Sequence, residues 1–289
     1  MSNNYQVLLF YKFIEILDPN ALMASQKILC EQLGLKGRIL LSKEGINATL
    51  EGTFENTEKY ISILIQRLGF EDIKFKKSNS NGLSFPKLMI KVRDEIVTTG
   101  LPYNQELGPL TGMTGNYITV EELHDLYDSD QEFYIIDMRN DYEHKVGYFR
   151  DSILLNKLDN FRNLPETLEQ IKHLKDKKII TVCTGGIRCE KASGFLMYHG
   201  FNDVWQLKDG IVSYMEKYPN EDFLGKLYVF DKRLMMGFRT QSKDHNIIGR
   251  CEYCQVVCEN MIDYKNEEGK RIHGIVCANC LQKEDIVLD

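Results

Sequence analysis

The sequence predicts a mixed α+β domain, then a parallel α/β domain, then a short cysteine-rich tail. Three observations predict it. Apolar periodicity over the first hundred residues runs strand, helix, strand, strand, helix, strand, the order of a ferredoxin-like split sandwich, with one strand to spare. From Thr119 onward helical and strand patterns alternate, as they do when helical crossovers join parallel strands. Five of the eight cysteines lie in the last 39 residues. The resulting division is 1–98, a linker over 99–118, 119–220, and an extension over 221–289.

Each element has a local cause. Residues 5–13 read as a strand. Asp18-Pro19 starts a helix, Asp18 as N-cap and Pro19 in the first position, where its missing N–H costs nothing. Leu22, Ile28, Leu29 and Leu33 form its apolar stripe, and Gly34 and Gly37 end it. Strands follow over 38–42 and 46–50 with a turn at Glu44-Gly45. A second helix over 54–68 carries Tyr60, Ile61, Leu64 and Leu68, and strands close the domain near 71–77 and 86–93. Residues 99–118 hold two Pro and four Gly, a linker composition. Thr119 then caps a helix with Glu122 completing a capping box. Residues 133–138 and 178–182 read as strands, the second β-branched and central. A helix over 188–199 ends at Gly200, and a strand over 204–207 leads into a helix over 211–217. A strand-like segment, 226–231, opens the tail.

With 43% apolar residues the 289-residue chain is folded, and two domains fit its length. No run of 18 apolar residues exists, so no membrane-spanning helix is expected. The first residues lack the basic segment and apolar core of a secretion signal, which predicts a cytoplasmic protein. In that reducing compartment clustered cysteines point to catalysis or metal binding rather than disulfides. The net charge of −6 is uneven: residues 1–99 carry +2, residues 100–220 carry −6 and residues 221–289 carry −2. A polyanion is therefore expected to prefer the N-terminal part.

The chemistry concentrates in Val182-Cys183-Thr184-Gly185-Gly186-Ile187-Arg188-Cys189. A strand ends at a cysteine, a glycine-rich loop follows, and a helix begins. Strand ends of parallel sheets are where α/β domains bind ligands. Thr184, Gly185, Gly186 and Ile187 form an anion cradle, in which two glycines allow positive φ and turn backbone N–H groups inward. The helix N-terminus and Arg188 add positive potential, so Cys183 is predicted to be a nucleophilic thiolate, with Cys183 and Arg188 the catalytic pair. Cys189, one turn into the helix, either resolves an oxidised or persulfidated Cys183 or packs on the sheet.

Four residues between cysteine and arginine make the loop one residue shorter than that of tyrosine phosphatases, and it resembles the rhodanese family. Asp137-Met138-Arg139, with Glu143, and Lys208-Asp209-Gly210-Ile211 resemble that family's other segments. The match narrows further. Residues 183–193, 36–42, 44–49, 91–98 and 139–143 closely resemble the rhodanese-domain tRNA uridine(34) hydroxylase family. The resemblance implies an acylphosphatase-like N-terminal domain, tRNA as partner, no membrane, molecular oxygen as co-substrate and a persulfide-capable Cys183. No dinucleotide fingerprint or His-carboxylate triad spacing is seen, so no flavin or nicotinamide site is evident. Either Cys183 attacks C6 of the uracil ring or its persulfide is the redox-active species.

Cys251-x2-Cys254 and Cys277-x2-Cys280 have the spacing of one tetrahedral zinc site, with Cys258 as a spare; an unmetallated thiol cluster or a flexible tail is the alternative. Lys74, Lys76, Lys77 and Arg38 are candidate tRNA contacts, with Tyr11, Phe13, Phe75 and Phe85 as bases' stacking partners. Solvated edge lysines and core aromatics are the plain alternative. Arg139 and Glu143 are expected to hold the active-site loop by salt bridge. A plain sulfurtransferase is the competing activity, and a non-catalytic binding module, which needs no intact Cys183 loop, is the third reading.

Overall fold

The computed structural model describes residues 4–101, 107–266, 268–283 and 286–288. Two compact units are present, Met1–Met113 and Thr114–Asp289.

In the first unit the elements are β1 (Tyr5–Phe13), α1 (Pro19–Gln32), β2 (Lys36–Ser42), β3 (Gly45–Thr53), α2 (Phe54–Leu64), β4 (Lys76–Ser80) and β5 (Leu88–Val92). They form one sheet of order β4-β1-β3-β2-β5, antiparallel except that β5 runs parallel to β2. The register sets Leu8 opposite Leu50 and Phe10 opposite Ala48, and these residues share a core with Cys30, Tyr60 and Leu64 of the two helices. Because strand side chains alternate, Leu9, Tyr11 and Phe13 face away from the helices.

The departures from expectation have simple causes. Asp18 caps α1 by accepting from the N–H groups of Asn20 and Ala21. Its inner face is Leu22, Gln26, Leu29, Cys30 and Leu33, while Ile28 is 57% exposed. Ile28 sits two residues from Gln26, about 200° around the helix. Gln26 tolerates burial because its Oε1 accepts from the Tyr60 hydroxyl at 2.6 Å. Helix α2 stops at Leu64, and Leu68 is exposed beyond it, where Phe70 and Ile73 close the core instead. The strand expected over 71–77 begins only at Lys76, where pairing with Leu9 starts. Gly37 lies inside β2 rather than ending α1.

The second unit comprises β6 (Asn116–Ile118), α3 (Val120–Tyr127), β7 (Tyr134–Asp137), α4 (Asp141–His144), β8 (Gly147–Phe149), β9 (Ile153–Leu154), α5 (Leu164–Ile171), β10 (Lys178–Val182), α6 (Ile187–Tyr198), β11 (Asp203–Leu207) and α7 (Gly210–Lys217). Its tail adds β12 (Phe223–Gly225), β13 (Leu227–Tyr228), β14 (Met235–Met236), β15 (Met261–Lys265), β16 (Arg271–Ile275), α8 (Ala278–Lys283) and β17 (Val287–Leu288). The main sheet, β6-β11-β10-β7-β9, is parallel throughout with β10 central. The Thr119–Glu122 capping box is formed.

The stretch read as a linker is partly structure. Residues 116–118 are β6, paired with Trp205–Leu207, and the Gly115 N–H donates to Ser193 Oγ at 2.8 Å. Residues 102–106 of that stretch lie outside the described residues. The strand expected over 226–231 shrinks to Leu227–Tyr228, because the chain turns at Asp231, whose carbonyl accepts from Leu234 N–H at 2.9 Å.

Candidate active site

Strand β10 delivers Cys183 to the end of the sheet, and α6 begins four residues later. Of the two loop glycines only Gly186 takes a positive φ, +98°, and its N–H donates to Cys183 Sγ at 3.2 Å. The loop is backed by Gly210 at φ +74°, where a Cβ would stand 2.6 Å from Gly185 C and Gly186 N, so a side chain there would displace the cradle. Cys183 is fully buried. Burial pushes its thiol up, but hydrogen bonding from Cys189, the Arg188 charge and the N–H groups of Cys189 and Arg188 outweigh it and bring it down to about 6. The Cys189 thiol is pushed well up by burial and by its hydrogen bond to Cys183, so it remains the protonated donor of the pair.

Arg188 is itself held. Its Nη1 and Nη2 donate to Glu143 Oε1 and Oε2 at 2.5 and 3.0 Å, and Nη2 also reaches Thr184 Oγ1 at 3.3 Å. Glu143 is fully buried and also accepts from the Asn140 N–H at 2.8 Å. Of the two residues expected to hold the loop, Glu143 does so. Arg139 does not: it pairs with Asp137, Nη2 to Oδ2 at 2.6 Å, and donates to the Gly147 carbonyl at 2.7 Å. Both are fully buried, which places the Asp137–Arg139 pair inside the core. Phe230, 5.7 Å from the Arg188 guanidinium, comes from the tail and carried no signal in the sequence.

The tail cysteines converge. Cys251, Cys254, Cys277 and Cys280 place their sulfurs within 4.8 Å of one another, with Cys254 and Cys277 at 3.6 Å. Sulfurs around a tetrahedral zinc ion at ~2.3 Å lie ~3.8 Å apart, so this donor set fits one metal ion. Cys258 is outside the four and packs among Tyr228, Met261 and Ile275.

The candidate RNA contacts separate by face. Arg38 on β2 and Lys76 on β4 lie on the sheet face away from the helices, as does Tyr11, whose ring is 5.5 Å from Lys76 Nζ. Lys77 points to the helix face and pairs with Glu58 at 2.6 Å. Lys74 is exposed and precedes β4. Phe75 packs on Phe10 at 4.8 Å and Phe85 is buried, so both are core residues. Among the described residues no helix is long and apolar enough to cross a membrane.

Three family models match the chain: the UPF0176 acylphosphatase like domain over residues 5–96, the rhodanese-like domain over 119–217 and the rhodanase C-terminal region over 224–287. The chain is 38% identical over 280 residues to a tRNA uridine(34) hydroxylase of Cytophaga hutchinsonii, covering 97% of this chain and 87% of that protein. It is 40% identical over 281 residues to a tRNA uridine(34) hydroxylase of Bacillus licheniformis, covering 96% and 84%. The chain belongs to the tRNA uridine(34) hydroxylase family. Among solved structures it is similar to a rhodanese-like domain protein from Staphylococcus aureus, 26% identical over 34% of this chain and 90% of that one, with a TM-score of 0.30. In this chain the Cys183 loop, the Glu143–Arg188 pair and the cysteine cluster all belong to the second unit.

Proposed function

We propose that this chain is an oxidoreductase that hydroxylates uridine 34 of tRNA to 5-hydroxyuridine in the cytoplasm, with molecular oxygen as co-substrate, a two-electron donor that reduces the second oxygen atom to water, and Cys183 as the reactive sulfur. One observation carries the reading: the likeness to named hydroxylases runs through both units and the tail, whereas sulfur transfer by a plain sulfurtransferase needs the rhodanese segment alone. The loop is chemically ready for it. A thiolate brought down to about 6 is largely ionised at neutral pH, and Arg188 with the Gly186 N–H stabilises negative charge on sulfur or on a persulfide. A persulfide on Cys183, formed when the thiolate takes the sulfane sulfur of a donor such as thiosulfate and sulfite leaves, carries its outer sulfur ~2 Å beyond the buried Sγ. Cys189 serves as proton donor to that sulfur and stands close enough in sequence and space to resolve it.

The deciding experiment is mass spectrometry of tRNA nucleosides from a strain lacking this gene. Loss of 5-hydroxyuridine is expected. Retained 5-hydroxyuridine with loss of a thiolated base would overturn the reading in favour of the sulfurtransferase.

Cys251, Cys254, Cys277 and Cys280 hold a zinc ion in this proposal. Four protein ligands leave no open position, so the ion supplies structure to the tail rather than chemistry. The tRNA meets the part of the first unit's sheet face that carries Arg38 and Lys76, away from the helices, with Tyr11 as a stacking surface and Lys74 at the edge. Arg38→Glu with Lys76→Glu should weaken tRNA binding roughly tenfold and lower the salt slope by about 2, one per lost phosphate contact. Lys77→Glu, on the other face, should leave that slope unchanged in the same filter-binding titration.

A further inference from the structure

We infer that His273, on the C-terminal hairpin, is a positioning residue for this reaction: its ring, packed on Tyr142, holds the short helix that aims Glu143 at Arg188 beside Cys183. The activity part of the inference rests on the hydroxylase reading; the positioning part does not.

Helix α4 is four residues long and cannot hold its own shape. Yet it carries Glu143, whose two oxygens fix the Arg188 guanidinium, and the charge of that guanidinium acts on Cys183. The restraint comes from the tail. The Tyr142 ring stacks on His273 with centroids 4.4 Å apart and planes at 27°, and it meets Tyr228 edge-on at 5.2 Å. The Tyr142 hydroxyl accepts from Asn140 Nδ2 at 2.8 Å, and the Asn140 N–H donates to Glu143 Oε1. Lys145, just after α4, donates to the His273 carbonyl at 3.0 Å and to Glu252 at 2.5 Å.

The hairpin is anchored in turn. Asp263 Oδ1 lies 2.6 Å from His273 Nδ1, and Arg271 binds the other oxygen of the same carboxylate. Glu252 sits between Cys251 and Cys254, and its N–H donates to the Ile275 carbonyl at 2.8 Å, so the thiolate cluster ties the base of the hairpin. A second contact closes the arrangement: Tyr228 also packs edge-on against Phe230, which lies under Arg188. Thus the side chains that fix the Arg188–Glu143 pair from behind belong to the tail. Groups acting on a reaction centre must be held to well under 1 Å, so loosening such a support is felt in the chemistry.

The test uses the full chain with His273→Ala and His273→Phe. Cys183 is alkylated with iodoacetate and, separately, iodoacetamide, and the Cys183 peptide is followed by mass spectrometry. Both reagents attack the same thiolate, so the ratio of rates cancels its ionised fraction and reads the positive field of Arg188 at the sulfur. His273→Ala should lower the iodoacetate-to-iodoacetamide ratio by about threefold or more, because an unfixed guanidinium is screened and displaced. His273→Phe keeps the ring, and Asp263 keeps Arg271, so the ratio should return close to that of the unmodified chain. In the hydroxylation assay His273→Ala should lower kcat about tenfold with KM for tRNA unchanged. If alanine fails to fold, His273→Leu fills the space without a stacking ring and decides the same question. An unchanged ratio in a folded alanine or leucine variant overturns the inference. A lowered ratio in a protein that makes no 5-hydroxyuridine would leave the positioning role standing and refute the hydroxylase reading instead.

Discussion

Cys183→Ser should abolish 5-hydroxyuridine formation, a fall of at least about a thousandfold, while the protein still folds. Serine matches cysteine in shape, so the fully buried loop loses little packing, and the Gly186 N–H keeps an acceptor. What serine lacks is a group that ionises near neutrality. A strain complemented with the variant should therefore look like the deletion strain in its tRNA nucleosides. Wild-type levels of 5-hydroxyuridine would exclude Cys183 from the reaction. The pH dependence gives an independent check. The Cys183 thiol is brought down to about 6 in the folded protein, below its ordinary value of 9.0. A depressed value means stability that is fully present above the unfolded value and is lost as pH falls through the folded one. Unfolding free energy should therefore rise between about pH 6 and pH 9, and that rise should shrink in Cys183→Ser.

Arg139→Met should cost about 3–5 kcal/mol in urea unfolding, the largest stability effect expected of one substitution here. Arg139 and Asp137 are both fully buried, and three of the bonds to Asp137 come from Arg139 side-chain nitrogens. Methionine fills most of the volume but leaves the Asp137 charge facing only the residue-139 backbone N–H, at 3.1 Å, and His144, at 3.5 Å. Burial pushes the Asp137 carboxyl up, and the Arg139 and His144 charges override it and hold it well below the usual carboxylate range. Its contribution is thus present above the unfolded value and lost as pH falls through the folded one. With Arg139 gone the carboxyl moves up instead, so the gap between variant and wild type should be widest at neutral pH and narrow below about pH 4. A cost under about 1 kcal/mol would show that the pair is dispensable.

Much of this was legible in the chain because it is local. Asp18-Pro19 and the Thr119–Glu122 box start helices with atoms only two or three residues apart, and both form as read. Ile46, Ala48 and Leu50 alternate with polar residues and put one face of β3 on the core, whereas the continuous apolar run of β1 names no face. Cys183, the glycine loop and Arg188 are neighbours in sequence, so the cradle around the sulfur is a local feature. The two Cys-x2-Cys pairs announced a four-sulfur cluster because each pair is a single turn. Local reading failed where a distant partner decided the outcome. Gln26 entered the core with its Oε1 bonded by Tyr60, β4 began where Leu9 could pair, and 116–118 became a strand because β11 offered an edge.

The sequence by itself determined the order of elements, the candidate nucleophile Cys183 with its loop and the set of four tail cysteines, since each depends on spacing over a few residues. Only the tertiary structure decided which charges meet. It set Glu143 on Arg188 and Arg139 on Asp137, put Arg38 and Lys76 on one face and Lys77 on the other, and brought Phe230 and His273 behind the active site. Buried charges must find partners and aromatic faces must find neighbours, and chain separations such as that between Tyr142 and His273 leave no periodic trace in the residues between them.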